Sequence, residues 1–312
     1  RVLQFGEGNF LRGFVDDMID IANEKGCFDG DIVLVKPRKG GSLERLRRQE
    51  CQYTVTLRGI VDGEPAVRSR IVTSVADAVS AYEDYERYSG YARLDTLRFI
   101  VSNTTEAGIV YEESDRPDMC PPDSFPGKLA RFLYERYRYF HGAPDKGLIM
   151  LPTELIDDNG ARLKECVCRH AACWGLEKAF FVWLEEACVF ASTLVDRIIT
   201  CYPEGEDQQL WAEWGYEDHN IVTGEPFALW VIESAKDISG ELPLSQAGLP
   251  VIFTDDLKPY KQRKVRILNG AHTSFALASW LAGNDTVLQA MEDELVHDFM
   301  YRTVYEEVIP TL

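Results

Sequence analysis

Short apolar runs, each followed by a polar turn or an amphipathic stretch, mark out the first part of the chain. RVLQF at residues 1–5 is the first such run, and GEGN follows it. Residues 11–26 then place apolar side chains at every third or fourth position, the spacing of a helix with one buried face, and Gly26 is the expected end of this helix. DIVLVKP, ended by Pro37, predicts a second buried strand. Strand, glycine turn, helix and strand in this order are typical of the opening of a βαβ unit.

Later segments add further strands and helices to this beginning. Residues 51–75 alternate between apolar and polar around a turn at Asp62–Gly63, which predicts antiparallel strands. TLRFIV and KGLIMLP predict buried strands that end in the polar loops SNTTEAG and TELIDDNG. KLARFLYERYRYF and most of residues 161–200 are predicted to be helical, PVIFTDD to be a late strand, and the chain after Pro259 to be helical again.

These elements predict a chain in two parts. The expected fold class is α/β, with a Rossmann-like dinucleotide-binding domain that carries inserted antiparallel strands over residues 1–256. The beginning of a mainly α-helical C-terminal domain follows over residues 257–312. Because the sequence starts inside a strand-like run and stops at PTL, we expect it to be truncated.

Composition narrows the classes of function. Of the 312 residues 46% are hydrophobic, and 33 Lys plus Arg stand against 51 Asp plus Glu, a net charge of -18. An acidic surface repels DNA and anionic lipid, so we expect no nucleic-acid partner and no membrane. No apolar run approaches the roughly 20 residues of a membrane helix. The eight scattered cysteines are typical of free thiols in a reducing compartment, so cytoplasm is the expected location.

The GEGNF turn is the first candidate binding site. Glycines at positions 6 and 8 let the backbone approach a pyrophosphate, and the next helix offers its N-terminal amides to the anion. A complete dinucleotide fingerprint has a third small residue where this chain has Leu11, and a lone GxG also occurs in ordinary tight turns. Its place between the first strand and a helix favours the binding interpretation.

The end of the second strand bears on the choice of dinucleotide. NAD enzymes often have an acidic residue there that holds the ribose hydroxyls, whereas this chain has Lys36, Pro37, Arg38 and Lys39. Those cations favour a 2′-phosphate, hence NADP, but they are equally typical of a solvated basic loop. These residues leave the choice between NAD and NADP open.

Two further motifs have structural alternatives. CVCRHAAC contains Cys166, Cys168, His170 and Cys173, but a helix would turn position 168 away from the others, and structural zinc sites usually draw on two separated pairs. We therefore expect packed thiols and no metal site. In STLVDRI, Asp196 and Arg197 are either an internal ion pair or polar residues of a binding site.

KVRILNGAHT carries Lys264, Asn269 and His272 in a run whose apolar residues, Val265, Ile267, Leu268 and Ala271, predict a buried helix. At 100° per residue Lys264, Asn269 and His272 fall within one face, and burying them without partners would cost of order 1–3 kcal/mol each. A cleft that offers them a ligand removes that cost. An ammonium, an amide and an imidazole suit carbonyl–alcohol interconversion, in which a hydride moves at carbon and a proton at oxygen. The alternative is a capping lysine with incidental polar neighbours.

Taken together, these motifs resemble a known family. Lys264-x4-Asn269-x2-His272, preceded by a GxGNF turn and a VDRI segment, is similar to the polyol-specific long-chain dehydrogenases, the mannitol dehydrogenase family. Segments spread over residues 2–310, among them STLVDRIITCYP and DDLKPYKQRKVRILNGAHT, look like the members of that family that act on sugar acids. The resemblance implies NAD-dependent, metal-independent reduction of D-tagaturonate to D-altronate in hexuronate breakdown.

The resemblance also implies a role for particular residues. Lys264 would be the general acid–base, Asn269 and His272 would hold the reacting oxygen, and Asp196 would contact substrate hydroxyls. The dinucleotide would be held by residues of the glycine turn and of the SNTTEAG loop, namely Gly6, Gly8, Asn9, Phe10, Asn103 and Thr104.

Two positions depart from the family pattern. Lys261 stands where relatives tend to have an acidic residue, and Glu154–Leu155 stands where they tend to have Asp-Asn. Lys261 belongs to a group of five cations between positions 258 and 266, which would suit the carboxylate of a sugar acid better than a neutral polyol. We expect Lys261 or Arg263 to contact that carboxylate.

Three alternatives stand beside this interpretation. The nearest is a fructuronate reductase or another sugar-acid or polyol dehydrogenase of the same family. A non-catalytic dinucleotide-binding protein is a different class, for which Lys264, Asn269 and His272 would be unnecessary. A zinc-binding module is the third alternative. The expected partners are a small-molecule sugar acid and NAD, in a monomer or homodimer.

Overall fold

The computed structural model describes residues 1–105 and 107–312. It divides into two compact units, Arg1–Asp255 and Asp256–Leu312. The sequence predicted a boundary after residue 256.

Thirteen strands are found among the described residues, all within the first unit. In chain order they are β1 (Val2–Phe5), β2 (Ile32–Lys36), β3 (Tyr53–Val61), β4 (Glu64–Val72), β5 (Val75–Ser80), β6 (Phe99–Ser102), β7 (Ile149–Pro152), β8 (Val189–Phe190), β9 (Ser192–Asp196), β10 (Ile199–Thr200), β11 (Val222–Gly224), β12 (Leu229–Glu233) and β13 (Val251–Thr254).

Helices connect and cover the strands of the first unit. The α-helices are α1 (Asn9–Leu11), α2 (Asp17–Glu24), α3 (Glu44–Arg48), α4 (Tyr85–Gly90), α5 (Phe125–Tyr139), α6 (Asn159–Cys173), α7 (Lys178–Glu186) and α8 (Asp207–Trp214). A π-helical segment, Arg12–Asp16, joins α1 to α2, and short 3-10 turns lie at Tyr91–Arg93 and Pro144–Lys146.

The main sheet has the order β5-β2-β1-β6-β7-β8, and all its strand pairs are parallel. This is the strand order of a doubly wound nucleotide-binding sheet, whose ligands bind beyond the carboxyl ends of the strands where the order reverses. Here the reversal lies between β1 and β6. Apolar side chains cover both faces of the sheet, because alternate residues of each strand face opposite ways. The predicted Rossmann-like α/β fold is confirmed.

The inserted antiparallel strands are also confirmed. β3 pairs antiparallel with β4 from Tyr53↔Val72 to Val61↔Glu64, and the turn between them has positive φ at Asp62 and Gly63. Positive φ at both central residues is the geometry of a tight hairpin turn.

One stretch was assigned wrongly. Residues 187–200 were predicted to be part of a largely helical region, but they form β8, β9 and β10. The STLVD segment of β9 pairs antiparallel with β12, with Val195 opposite Trp230. Pairing and burial against a neighbouring strand outweigh local helical spacing, and the sequence alone does not show which segments pair.

The second unit is helical, as predicted. It contains α9 (Lys258–Gln262), α10 (Gly270–Leu281), α11 (Val287–Glu292) and α12 (Glu294–Arg302), with π-helical segments at Arg263–Asn269 and Thr303–Val308 and a 3-10 turn at Ile309–Thr311. Its buried cluster is formed by Phe275, Ala290 and Val296. Among the described residues of either unit, none of the helices combines the length and the apolar character that crossing a membrane requires.

Candidate active site and nucleotide pocket

The glycine turn after β1 has a backbone shape that requires glycine at its first position. Gly6 has φ +131, and a Cβ there would lie 3.1 Å from the Asn103 carbonyl oxygen and 3.2 Å from Leu11 Cδ1. At Gly8 an added Cβ would meet nothing within 4 Å, so this position borders open space. Leu11 is buried and packs beneath the turn. The residue that departs from the three-glycine fingerprint therefore serves the packing of the helix on the sheet.

A cavity of about 560 Å³ lies against this turn, and residues at the carboxyl ends of β1, β2 and β6 line it. A volume of this size is within the usual range for a small-molecule site. All six residues proposed for the dinucleotide contribute to its wall, namely Gly6, Gly8, Asn9, Phe10, Asn103 and Thr104. The structure thus brings together two motifs that are widely separated in the sequence.

Glu154 holds the second of these motifs in shape. Its buried carboxylate accepts hydrogen bonds from Ser102 Oγ (3.0 Å) and from the Thr104 backbone N–H and hydroxyl (2.9 and 2.8 Å). Burial raises the pKa of Glu154, and the hydrogen bonds from Thr104 and Ser102 oppose that rise. Asn103 donates its amide to the Thr153 carbonyl and hydroxyl oxygens. The departure from the family pattern at position 154 therefore positions the loop that lines the cavity.

The cations at the end of β2 differ in whether they reach the cavity. Lys36 is only 2% exposed, and its ammonium donates to the Gly40 and Gly41 carbonyls (2.8 and 2.9 Å) and to Glu83 (2.9 Å). These bonds hold the loop after β2 in place, so the Lys36 ammonium is not available to a ligand. Arg38 lines the cavity. Of the three cations that favoured NADP, Lys36 is therefore not available to a 2′-phosphate.

Asp123, Ser124 and Lys128 also line this cavity, and the sequence reasoning missed them. Ser124 caps α5 by accepting from the Gly127 N–H at 3.0 Å, and Pro126 occupies the first turn. That pair is a helix-start signal which could have been found. Lys128 is buried, and desolvation lowers its pKa to about 8 although the nearby aspartates Asp115 and Asp123 oppose the shift.

At the end of β9, Asp196 is half-buried, while Arg197 contacts a different part of the unit. Arg197 pairs with Asp17 of α2 at 3.2 Å and donates to the Gly13 carbonyl at 2.7 Å. The ion pair considered for Asp196 and Arg197 is thus observed for Arg197 with Asp17. This contact fixes the strand end that presents Asp196.

The Lys264 run forms a different kind of helix from the one predicted. Residues Arg263–Asn269 are π-helical, and α10 continues from Gly270. In a π-helix the hydrogen bonds join residues five apart, so Lys264 and Asn269 lie more nearly one above the other than in an α-helix. Single turns of this kind occur frequently at functional sites. The spacing of the motif, five residues and then three, therefore matches a π turn followed by an α turn.

The same run is not buried within its unit, contrary to the expectation. Val265 is 48% and Leu268 40% exposed, Lys264 is half-buried, and Asn269 and His272 are exposed. The reason is that this unit buries its apolar surface around Phe275, Ala290 and Val296 instead.

His272 has a defined orientation. Its Nδ1 lies 2.9 Å from the Leu268 carbonyl oxygen, which can only accept, so Nδ1 carries the proton. In the neutral imidazole Nε2 then holds the lone pair and is the nitrogen left for a ligand. The two cations expected to bind a carboxylate lie one turn earlier. Lys261 is half-buried in α9, and the exposed Arg263 places its guanidinium 5.9 Å from the centre of the Tyr260 ring.

The CVCRHAAC residues lie on α6. Cys166 is buried in the core, and Cys173 accepts a hydrogen bond from the Tyr111 hydroxyl at 3.1 Å. His170 packs its ring against Tyr111 and Trp174. Within residues 1–105 and 107–312 no group of three or more His, Cys, Asp or Glu side chains is arranged to hold a metal ion.

The doubly wound sheet and its glycine-lined cavity define a protein of the Rossmann class. Residues 1–246 match the model of the mannitol dehydrogenase Rossmann domain, and residues 256–312 match that of the mannitol dehydrogenase C-terminal domain. The chain therefore belongs to the mannitol dehydrogenase family.

Several curated relatives match along the whole chain. Altronate oxidoreductases from Yersinia enterocolitica, Pectobacterium atrosepticum and Bacillus subtilis are 46%, 47% and 44% identical, each over 100% of this chain. The chain spans 64% to 65% of the length of these relatives.

Solved structures show the same fold. The mannitol 2-dehydrogenase of Pseudomonas fluorescens, in a ternary complex with NAD and D-mannitol, superposes with a TM-score of 0.79 at 23% identity. A substrate-free D-sorbitol dehydrogenase superposes with a TM-score of 0.83 at 24% identity. Both comparisons cover 100% of this chain, and 64% and 65% of the solved chains.

Proposed function

We propose that the protein is an NAD(H)-dependent oxidoreductase that interconverts D-tagaturonate and D-altronate. The observation that carries the proposal is the match along the whole chain to altronate oxidoreductases at 44% to 47% identity. The family membership and the glycine-lined cavity support the broader class, a dehydrogenase of polyols or sugar acids.

The residues around the cavity fit a dinucleotide. The missing side chain at Gly8 leaves open space at the wall, and the α1 amides follow directly. Asn103 and Thr104 line the same cavity from the end of β6. When bound, the nicotinamide supplies the hydride in the reductive direction and accepts it in the oxidative direction.

Proton transfer to the substrate oxygen is assigned to side chains of the protein. Reduction leaves negative charge on the ketone oxygen, and Lys264 as an ammonium delivers a proton to it. Asn269 donates an amide N–H to the same oxygen, which stabilises the charge as it develops. His272 is assigned to the same oxygen, and the bond between its Nδ1 and the Leu268 carbonyl fixes the orientation of its ring.

Substrate recognition is assigned to Asp196 and to two cations before Lys264, namely Lys261 and Arg263. Asp196 would accept from sugar hydroxyls, and Lys261 or Arg263 would pair with the substrate carboxylate. The two substitutions Lys261→Ala and Arg263→Ala should each raise KM for a uronate more than for a neutral ketose. Equal losses on both substrates would count against carboxylate recognition.

The direct test of the reaction uses the full-length enzyme. NADH and NADPH oxidation are followed separately with tagaturonate, fructuronate and fructose as substrates. The proposal predicts the highest kcat/KM for tagaturonate with NADH. A preference for fructuronate or fructose would transfer the protein to another activity of the family, and nucleotide binding without turnover of any substrate would indicate a non-catalytic protein.

A further inference from the structure

The first unit lacks an acidic residue where nucleotide-binding sheets usually carry one. Such an acid at the end of the second strand accepts hydrogen bonds from the adenosine ribose hydroxyls. In this chain β2 ends at Lys36, and Pro37 and Arg38 follow. Glu83 approaches the strand end, but Lys36 binds it and it is not part of the cavity wall. An acceptor for the ribose must therefore come from another element.

Asp123 lies at this place although it belongs to the loop before α5. It lines the same cavity as Pro37 and Arg38. Its carboxylate Oδ1 accepts from Lys39 Nζ at 3.0 Å and from the Tyr82 hydroxyl at 2.9 Å. These two partners are in the loops that follow β2 and β5, so Asp123 is tied to the strand ends themselves.

The backbone of Asp123 is fixed as well. Its N–H donates to the buried Asp115 carboxylate at 2.6 Å, and its carbonyl accepts from Lys128 Nζ at 2.7 Å. The hydrogen bonds from Lys39 and Tyr82 lower the pKa of Asp123, so it is ionised at neutral pH. Both side-chain bonds fall on Oδ1, and no side chain in the described part of the protein bonds to Oδ2. With 47% of the side chain exposed, Oδ2 remains an acceptor for a ligand.

The other acids of the cavity wall fit this role less well. Glu112 accepts its hydrogen bonds from its own loop, from the Ser114 N–H and hydroxyl at 3.1 and 2.9 Å, whereas those of Asp123 come from the loops after β2 and β5. Glu7 lies within the glycine turn itself, beside the place where a pyrophosphate would approach.

We propose that Asp123 accepts the adenosine ribose hydroxyls and thereby selects NAD(H) over NADP(H). This inference rests on the proposed function. A carboxylate bonds to the 2′-hydroxyl but repels a 2′-phosphate, and the same carboxylate holds Lys39, so that cation is withdrawn from a phosphate. The second lysine of the basic stretch after β2 thus positions an acid from another element at the cavity wall.

The test measures equilibrium binding of NADH and NADPH to the purified protein. Asp123→Ser should weaken NADH binding by about ten-fold, the lower end for a lost charge-assisted hydrogen bond. It should also strengthen NADPH binding, because Lys39 is released beside the 2′-position. The double variant Asp123→Ser/Lys39→Ala should lose that gain. Asp118→Ser is the matched control, since it removes an exposed carboxylate of the same loop that is not part of the cavity wall.

Reduced nicotinamide mononucleotide, which has no adenosine, should bind the wild type and Asp123→Ser equally. An Asp123→Ser variant that keeps the wild-type ratio of NADH to NADPH affinity would overturn this inference while leaving the proposed function intact. A wild-type protein that binds neither dinucleotide would overturn both. Circular dichroism of each variant shows whether a loss of binding comes from a loss of fold, and Asp123→Asn serves as a closer replacement if the serine variant does not fold.

Discussion

Asp16 is a buried carboxyl group whose ionisation should oppose folding. It ends the π-helical segment behind the glycine turn, and its Oδ2 accepts from the Tyr53 hydroxyl at 2.7 Å. Asp16 Oδ1 and Gln4 Oε1 have no hydrogen-bond partner among the described residues. Burial raises the pKa of Asp16 from 3.8 to about 7, against the opposing effects of Tyr53, Gln4 and Arg12. A neutral carboxyl is therefore favoured in the folded chain.

The size and the direction of the effect follow from this difference. Because the folded state holds the proton more tightly than the unfolded state, this contribution to stability is greatest below about pH 4 and is lost as the pH rises to about 7. At about 1.4 kcal/mol for each pH unit between the two pKa values, ionised Asp16 costs on the order of 4 kcal/mol of unfolding free energy above pH 7. Asp16→Asn keeps an acceptor for Tyr53 and removes the titrating group.

Urea-induced unfolding from pH 5 to pH 8 measures this contribution. The unfolding free energy of Asp16→Asn minus that of the wild type should increase with pH and level off above pH 7, because all other titrations are common to both proteins. Tyr53→Phe provides a second check, since losing the bond to Oδ2 should raise the pKa of Asp16 further and move the transition to higher pH. A difference between Asp16→Asn and wild type that does not vary with pH would refute the assignment.

The cavity and the loop after β2 lead to further predictions. Gly8→Val should fill open space, weakening dinucleotide binding at least about ten-fold while changing the unfolding free energy by only about 0.5 kcal/mol; unchanged binding in a calorimetric titration would contradict the assignment of the pocket. Gly6→Ala should instead destabilise the fold by about 1–3 kcal/mol in urea unfolding, because its φ of +131 disfavours any side chain. Lys36→Met should cost about 1–3 kcal/mol through the lost bonds to Gly40 and Gly41, with the ratio of NADH to NADPH affinity unchanged. A changed ratio would show that Lys36 does contact the dinucleotide.

Some of the fold could be predicted because the local sequence pattern of a segment favours the same element that the segment forms in the folded protein. The run from β1 through the glycine turn to α2 carries its own strand, turn and helix signals, and the structure forms all three. The β3–β4 hairpin was equally accessible through Asp62–Gly63. β9 was not, because its strand identity depends on pairing with β12, which is remote in the sequence.

The candidate sites divide in the same way. The glycine turn could be predicted from its residue types alone. Asp123 could not, because no local sequence pattern marks it and its position depends on contacts with Lys39 and Tyr82. The π-helical form of the Lys264 run could not be predicted either. A change of the backbone hydrogen bonds from residues four apart to residues five apart does not alter which residue types are present. For Asp123, the sequence alone does not identify the two partners that fix the side chain.

The role of Lys264 as the proton donor is tested most directly by Lys264→Ala, measured for both NADH binding and the rate of tagaturonate reduction in a single turnover. We expect unchanged NADH affinity and a rate at least about 100-fold lower, the scale of lost acid–base catalysis. Lys258→Ala, which removes a neighbouring cation of the same group, should retain most of the rate. Reduction by Lys264→Ala at close to the wild-type rate would contradict the proposed mechanism.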